Sequence, residues 1–212
     1  MKKNTAFLFD LDGVIIDTEP QYDIFWKKTA KKYQLGIENF ENIIKGTTLP
    51  YILSNYFSHF PETIQQELAV ANQTFELEMD IITIPGALAF LEKVKEVGIP
   101  MGLVTSSDDC KINYVFSRLP IRQYFDVIIS AGRIIHGKPD PMCYLLAAQD
   151  LGISPENCYV FEDSFNGIKS GNAAGMKVIG LSTTNSADSI AKDCIRVIPD
   201  FCSFSAHSLF SE

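Results

Sequence analysis

Residues 6–19 read AFLFDLDGVIIDTE. The run from Ala6 to Phe9 is apolar without alternation, as expected of a strand covered on both faces. It ends in Asp10, and Asp12 and Gly13 follow. Two carboxylates at the mouth of a buried strand repel each other and lose hydration. Either a positive group lies between them or one of them carries a proton.

The same grammar recurs along the chain. PMGLVTSS ends in Thr105, Ser106 and Ser107, and FDVIIS ends in Ser130. CYVFEDS ends in Glu162, Asp163 and Ser164, and KVIGLST ends near Ser182. Helical patterns lie between these runs. One starts at Pro85-Gly86, with Leu88, Leu91, Val94 and Val97 expected inward and Gly98 as its stop. Residues 141–151 and 165–174 supply others, stopped by Gly152 and Gly175. Alternating strands and helices predict an α/β fold, a Rossmann-like doubly wound parallel sheet. The polar strand ends then gather at the carboxyl edge, where open sheets of this kind bind ligands.

Residues 18–82 break the pattern. Tyr22, Phe25, Trp26, Thr29, Ala30 and Tyr33 follow helical spacing, and Ile64, Leu68, Ala71, Phe75 and Met79 mark a second helix. The expected organisation is a catalytic core of residues 1–17 and 83–212 with an inserted α-helical cap, residues 18–82. Its hinges fall near 17–20 and 80–84.

Bulk properties limit the partners. The chain has 212 residues, 46% of them hydrophobic, and a formal net charge of −8. That balance argues against nucleic acid and anionic membranes, but not against a small anion bound at a locally positive site. Five cysteines occur, an odd number, with no Cys-x-x-Cys. Free thiols in a reducing cytosol are expected, hence a cytoplasmic protein. No signal segment and no apolar run long enough to span a membrane is seen.

Asp10-x-Asp12-Gly13 also opens a calcium loop, but Val14 and Ile15 stand where the third ligand and the loop glycine belong, and Gln21 replaces the bidentate Glu. Thr105-Ser106-Ser107 puts hydroxyls and N–H groups at a helix start, which suits an anion or an ordinary cap. His136-Gly137-Lys138-Pro139-Asp140-Pro141 holds a lysine in a stiff loop. Glu162 and Asp163 bring the acids at the sheet edge to four, too many to gather without a cation. Oxygen-only ligands point to a hard divalent ion, Mg²⁺ first, and the lack of a His/Cys set argues against zinc.

FDLDGVIIDTE, GLVTSS, GKPDP and VFEDSFNGIKSGNAAGM, in this order and each near a strand end, resemble the haloacid dehalogenase superfamily. The likeness is to its phosphatase and beta-phosphoglucomutase-like branch with a small helical cap. It covers nearly the whole chain. It implies Asp10 as the nucleophile that forms an aspartyl-phosphate, and Asp12 as general acid and then base. An acid at Asp12 speaks against a dehalogenase, whose leaving group needs no proton. The resemblance also implies Mg²⁺ held by Asp10, Asp163 and the Asp12 carbonyl, with Glu162 behind and linked through water. Thr105, Ser106, Ser107 and Lys138 would cradle the phosphate. IKGTTLP (Ile44–Pro50), with Gly46 and Thr47, resembles the cap's substrate loop.

Two departures bear on the reaction. Mutases of this branch carry an arginine where Leu49 stands and a histidine where Tyr22 stands. No arginine precedes Arg118, and Lys45 is the sole cation of the loop. The expected protein is therefore a monomeric Mg²⁺-dependent phosphatase acting on a small phosphomonoester, a sugar phosphate. A beta-phosphoglucomutase-like isomerase is the alternative, and a non-catalytic phosphate-binding protein is a third possibility.

Overall fold

The computed structural model describes residues 4–209. Ala6–Phe9 form β1, and all four residues are buried. The chain then leaves the sheet for α1 (Glu19–Lys32), α2 (Phe40–Ile43), α3 (Leu49–Tyr56) and α4 (Glu62–Glu78). It returns through α5 (Ala87–Val97), β2 (Met101–Val104), α6 (Asp109–Arg118), β3 (Val127–Ile129), α7 (Met142–Leu151) and β4 (Cys158–Glu162). α8 (Phe165–Ala173), β5 (Lys177–Leu181), α9 (Ala187–Ile190) and β6 (Arg196–Ile198) follow.

The six strands lie in the order β3-β2-β1-β4-β5-β6, every neighbouring pair parallel. The chain builds outward from β1 to β3, then starts again at β4 on the other side. That reversal opens a crevice at the carboxyl ends of β1, β2 and β4, where Asp10, Thr105 and Asp163 follow their strands. The doubly wound α/β sheet matches the sequence expectation, with β6 as an additional edge strand.

Aromatic packing on one face fixes the register. Phe9 pairs with Phe161 across β1 and β4, and their rings stack at 4.6 Å. Phe7, Phe90 and Phe201 complete this layer. Leu8, Val160, Tyr144 and Ala147 pack on the opposite face. Each large apolar side chain so buried contributes roughly 1.5–3 kcal/mol, and the strand ends are held accordingly.

The inserted helices have a separate core of Trp26, Phe40, Ile44, Ile52, Phe57 and Leu68. The two segments that join them to the sheet run side by side. Asp17 N–H donates to the Ile82 carbonyl at 2.8 Å, and Ile84 N–H to the Ile15 carbonyl at 3.0 Å.

Two inward faces differ from the sequence expectation. In α5, Ala87, Phe90, Leu91 and Val94 are buried, whereas Leu88 is exposed. In α4, Ala71 is exposed and the inward row is Leu68, Asn72 and Glu76. Two polar side chains take places where an apolar stripe is expected, because that face looks into a cavity rather than a dry core. Among the described residues, no helix is long and apolar enough to cross a membrane.

Candidate active site

The crevice holds a cavity of about 360 Å³. Asp10, Asp12, Thr105, Ser106, Ser107 and Asp163 line it from the sheet, and Glu19, Tyr22, Lys45, Leu49, Asn72 and Glu76 from the cap.

Beneath the floor, Lys138 answers the question raised by the paired acids. Its ammonium lies 2.8 Å from Asp10 Oδ1, 2.5 Å from Glu162 Oε1 and 3.2 Å from the Val104 carbonyl. Three N–H donors meet three acceptors, so the buried charge is fully used. Burial works against the charged form of Lys138, but Asp10 and Glu162 hold its pKa well above the usual lysine range. Glu162 also accepts from the Tyr144 hydroxyl at 2.8 Å, the Asp163 and Ser164 N–H groups at 3.1 and 3.2 Å, and the Ser164 hydroxyl at 3.1 Å.

Asp12 has different partners. Lys111 donates to both its oxygens, at 2.5 and 2.6 Å. Thr18 hydroxyl donates to Oδ1 and Ser107 hydroxyl to Oδ2 at 3.1 Å. Lys111 is absent from the sequence reading. The available signal is a lysine beside Ile112 and Val115 on the buried face of α6.

Asp163 is 1% exposed. Thr184 hydroxyl donates to its Oδ2, and Asn185 amide donates to its backbone carbonyl at 2.8 Å. Burial raises Asp163 well above the ordinary carboxylate range, reinforced by Glu19, Glu162 and Asp10. Burial likewise pushes Asp10 up to about 7, against the pull of Lys138. Gly13, at φ +71°, lies so close that a Cβ would overlap the Asp163 carboxylate.

Carboxylate oxygens of Asp10, Glu162 and Asp163 come within 4.8 Å of one another. Around the floor, Asp10, Asp12, Glu162 and Asp163 face the ammonium groups of Lys111 and Lys138. The acids outnumber the two ammonium groups, so a divalent cation would offset the surplus, and the oxygen-only donors suit a hard one. The residues present therefore fit a bound metal.

The remaining predicted residues meet where the cap loop touches the sheet edge. Thr105, 2% exposed, accepts from Ser107 N–H at 3.1 Å. Ser106 directs its hydroxyl to the Gly46 carbonyl at 2.7 Å. Asn166 amide donates to the Lys45 carbonyl at 2.8 Å. These bonds dock the cap loop on the sheet edge. Thr47 hydroxyl turns back to the Ile44 carbonyl at 2.6 Å. Gly46, at φ +77°, faces Ser164 so closely that a Cβ would overlap its hydroxyl. Lys45 is paired with Glu19 at 3.2 Å and Asp23 at 2.9 Å.

Residues 5–175 match the family model described as haloacid dehalogenase-like hydrolase. This chain belongs to the haloacid dehalogenase-like hydrolases. It is an enzyme of the phosphatase type. Among relatives, it is 34% identical to hexitol phosphatase A of Escherichia coli, over 84% of this chain and 82% of that protein. It is 30% identical to beta-phosphoglucomutase of Bacillus subtilis, over 83% and 82% of the two chains. The crystal structure of beta-phosphoglucomutase from Clostridium difficile superposes with a TM-score of 0.82 at 28% identity, covering 98% of this chain and 96% of that one. Both kinds of relative share the fold of this haloacid dehalogenase-like enzyme, so the choice of reaction turns on the cavity's own side chains.

Proposed function

We propose that this enzyme hydrolyses the phosphate monoester of a small sugar or sugar alcohol, with Mg²⁺ as cofactor. One observation carries the choice. The cavity has an anion-handling floor around Asp10, while Lys45, the one Lys or Arg among its described lining residues, is already paired with Glu19 and Asp23. There is a place for one phosphoryl group and no free cation for a second.

In this reading Asp12 enters the first step protonated: an Asp10 oxygen attacks phosphorus, the bond from phosphorus to the sugar oxygen breaks, and Asp12 gives its proton to that oxygen. Water then attacks the aspartyl-phosphate, Asp12 takes its proton, and inorganic phosphate leaves with the Asp10 carboxylate restored. Thr105 and the Ser106 N–H orient the phosphoryl oxygens, while Lys138, spent on Asp10, Glu162 and the Val104 carbonyl, holds the nucleophile in place from below. Asp10, Asp163 and the Asp12 carbonyl would hold Mg²⁺, with Glu162 behind. When bound, the ion supplies positive charge against those oxygens. Glu19, Asn72 and Glu76 on the cap offer acceptors and donors to sugar hydroxyls.

A mutase reading draws support from the likeness to the beta-phosphoglucomutases, but it requires Lys45 to leave both carboxylates. Phosphate release measured across hexitol, aldose and ketose phosphates, nucleotides and short phosphorylated acids, with Mg²⁺ present, tests the proposal. Turnover concentrated on sugar or sugar-alcohol phosphates is expected. Release from none of them would overturn it.

A further inference from the structure

Lys111 occupies the first turn of α6 and is 1% exposed. A lysine there gives up the hydration of its ammonium, which is tolerated only when each donor is used. All three are used. Nζ donates to Asp12 Oδ1 at 2.5 Å, to Asp12 Oδ2 at 2.6 Å and to the Tyr22 hydroxyl oxygen at 2.7 Å. Tyr22 in turn donates to Glu76 at 2.7 Å.

These four residues come from both halves of the molecule. Asp12 follows β1 and Lys111 lies on α6, beside the sheet. Tyr22 lies on α1 and Glu76 on α4, in the cap. The same two halves meet where Tyr114 of α6 donates to the Met79 carbonyl at the end of α4. Thr18 and Ser107 each hold one oxygen of Asp12 through a hydroxyl that can rotate. Lys111 alone spans both oxygens, and its third donor is satisfied by the cap.

We propose that Lys111 is a positioning residue that fixes the carboxylate of Asp12 and makes that placement depend on the cap being down. The proposal rests on the phosphatase reading above. With Tyr22 in place, three acceptors stop the ammonium from turning, and Asp12 is pinned at both oxygens. When α1 and α4 move away, Lys111 loses its third acceptor and the pin loosens. Proton transfer through Asp12 is then aligned in the closed state, when the cavity excludes bulk water.

The test uses Lys111→Met, which keeps the apolar stem and removes the ammonium, and Tyr22→Phe, which removes one hydroxyl. With a hexitol phosphate and Mg²⁺, Lys111→Met should lower kcat by about 10²-fold while KM stays within about twofold. With p-nitrophenyl phosphate its first turnover should keep the wild-type rate, since that leaving group departs without a proton. Later turnovers should be slow, with phosphoenzyme accumulating on acid quench. Tyr22→Phe should show the same split at about a tenth of the effect, and it carries the test if Lys111→Met does not fold. Burst and steady rate falling together, or both staying at the wild-type value, would overturn the role of Lys111. A wild-type enzyme that releases phosphate from neither substrate overturns the phosphatase reading itself, and the role of Lys111 with it.

Discussion

Lys45 Nζ lies 3.2 Å from Glu19 Oε2, within the cap surface that faces Asp10. Burial pushes the Glu19 carboxyl up to about 7, with Lys45 pulling the other way. Lys45 is thereby occupied by its own neighbours. A mutase has to grip the phosphate that is not reacting, and a forked guanidinium does this best. Leu49 begins α3 at the position in question and brings no charge. Beta-glucose 1-phosphate with a trace of the 1,6-bisphosphate should therefore yield inorganic phosphate and little glucose 6-phosphate. Phosphorus NMR follows both products in one tube. Dominant conversion to the 6-phosphate would favour the mutase and assign Lys45 to the second phosphate.

The two N-terminal aspartates should separate by leaving group. Asp10→Asn should form no phosphoenzyme and lose turnover on every substrate. Asp12→Asn keeps the nucleophile and loses acid–base help, worth about 10²–10⁴ in rate. The loss in the first chemical step should be largest with a sugar phosphate and smallest with p-nitrophenyl phosphate. Equal losses in that step on both substrates would contradict the assignment.

The acidic floor makes a metal prediction. EDTA should abolish turnover and Mg²⁺ restore it, while Asp163→Ala should weaken Mg²⁺ binding measured by calorimetry. Ca²⁺ should bind and support little chemistry, because its longer, looser coordination displaces the nucleophile. Full activity in EDTA would remove the metal from the mechanism.

Stability of the metal-free protein should fall toward alkaline pH. Asp10 and Glu19 are raised from 3.8 and 4.5 to about 7, chiefly by burial. The folded state then binds more protons than the unfolded chain between those values. Its contribution is full below the unfolded values and is lost as pH rises through 7. In EDTA, thermal melting should occur at a lower temperature at pH 8 than at pH 5.5, and Mg²⁺ should recover the difference at pH 8. The reverse order would mean that the floor is compensated without a cation.

The sheet could be read from the chain because buried parallel strands are uninterrupted apolar runs, and their ends carry the only polar clusters nearby. β6 escaped because Arg196–Ile198 is a three-residue edge strand, only partly buried. α2 spans four residues and leaves too little periodicity to detect. The phase of α5 was ambiguous because Ala87, Leu88, Ala89, Phe90 and Leu91 are all apolar. Asp10, Asp12, Thr105, Lys138 and Asp163 follow strands or stiff loops, so their convergence could be anticipated. Lys111, Asn72 and Glu76 could not be found from polarity, since polar side chains on helices ordinarily face water. Here Asn72 and Glu76 face the cavity, and Lys111 is buried against Asp12 and Tyr22. The row Leu68, Asn72, Glu76 at steps of four is the trace they leave.

The paired segments around Asp17 and Ile82 let the chain depart from the sheet and come back at nearly the same point. Whatever lies between them closes on its own aromatic core and asks little of the strands below. Descent can therefore rewrite the roof while leaving the chemistry of the floor untouched. In such a molecule, the choice of what is dephosphorylated and the means of doing it can be inherited separately.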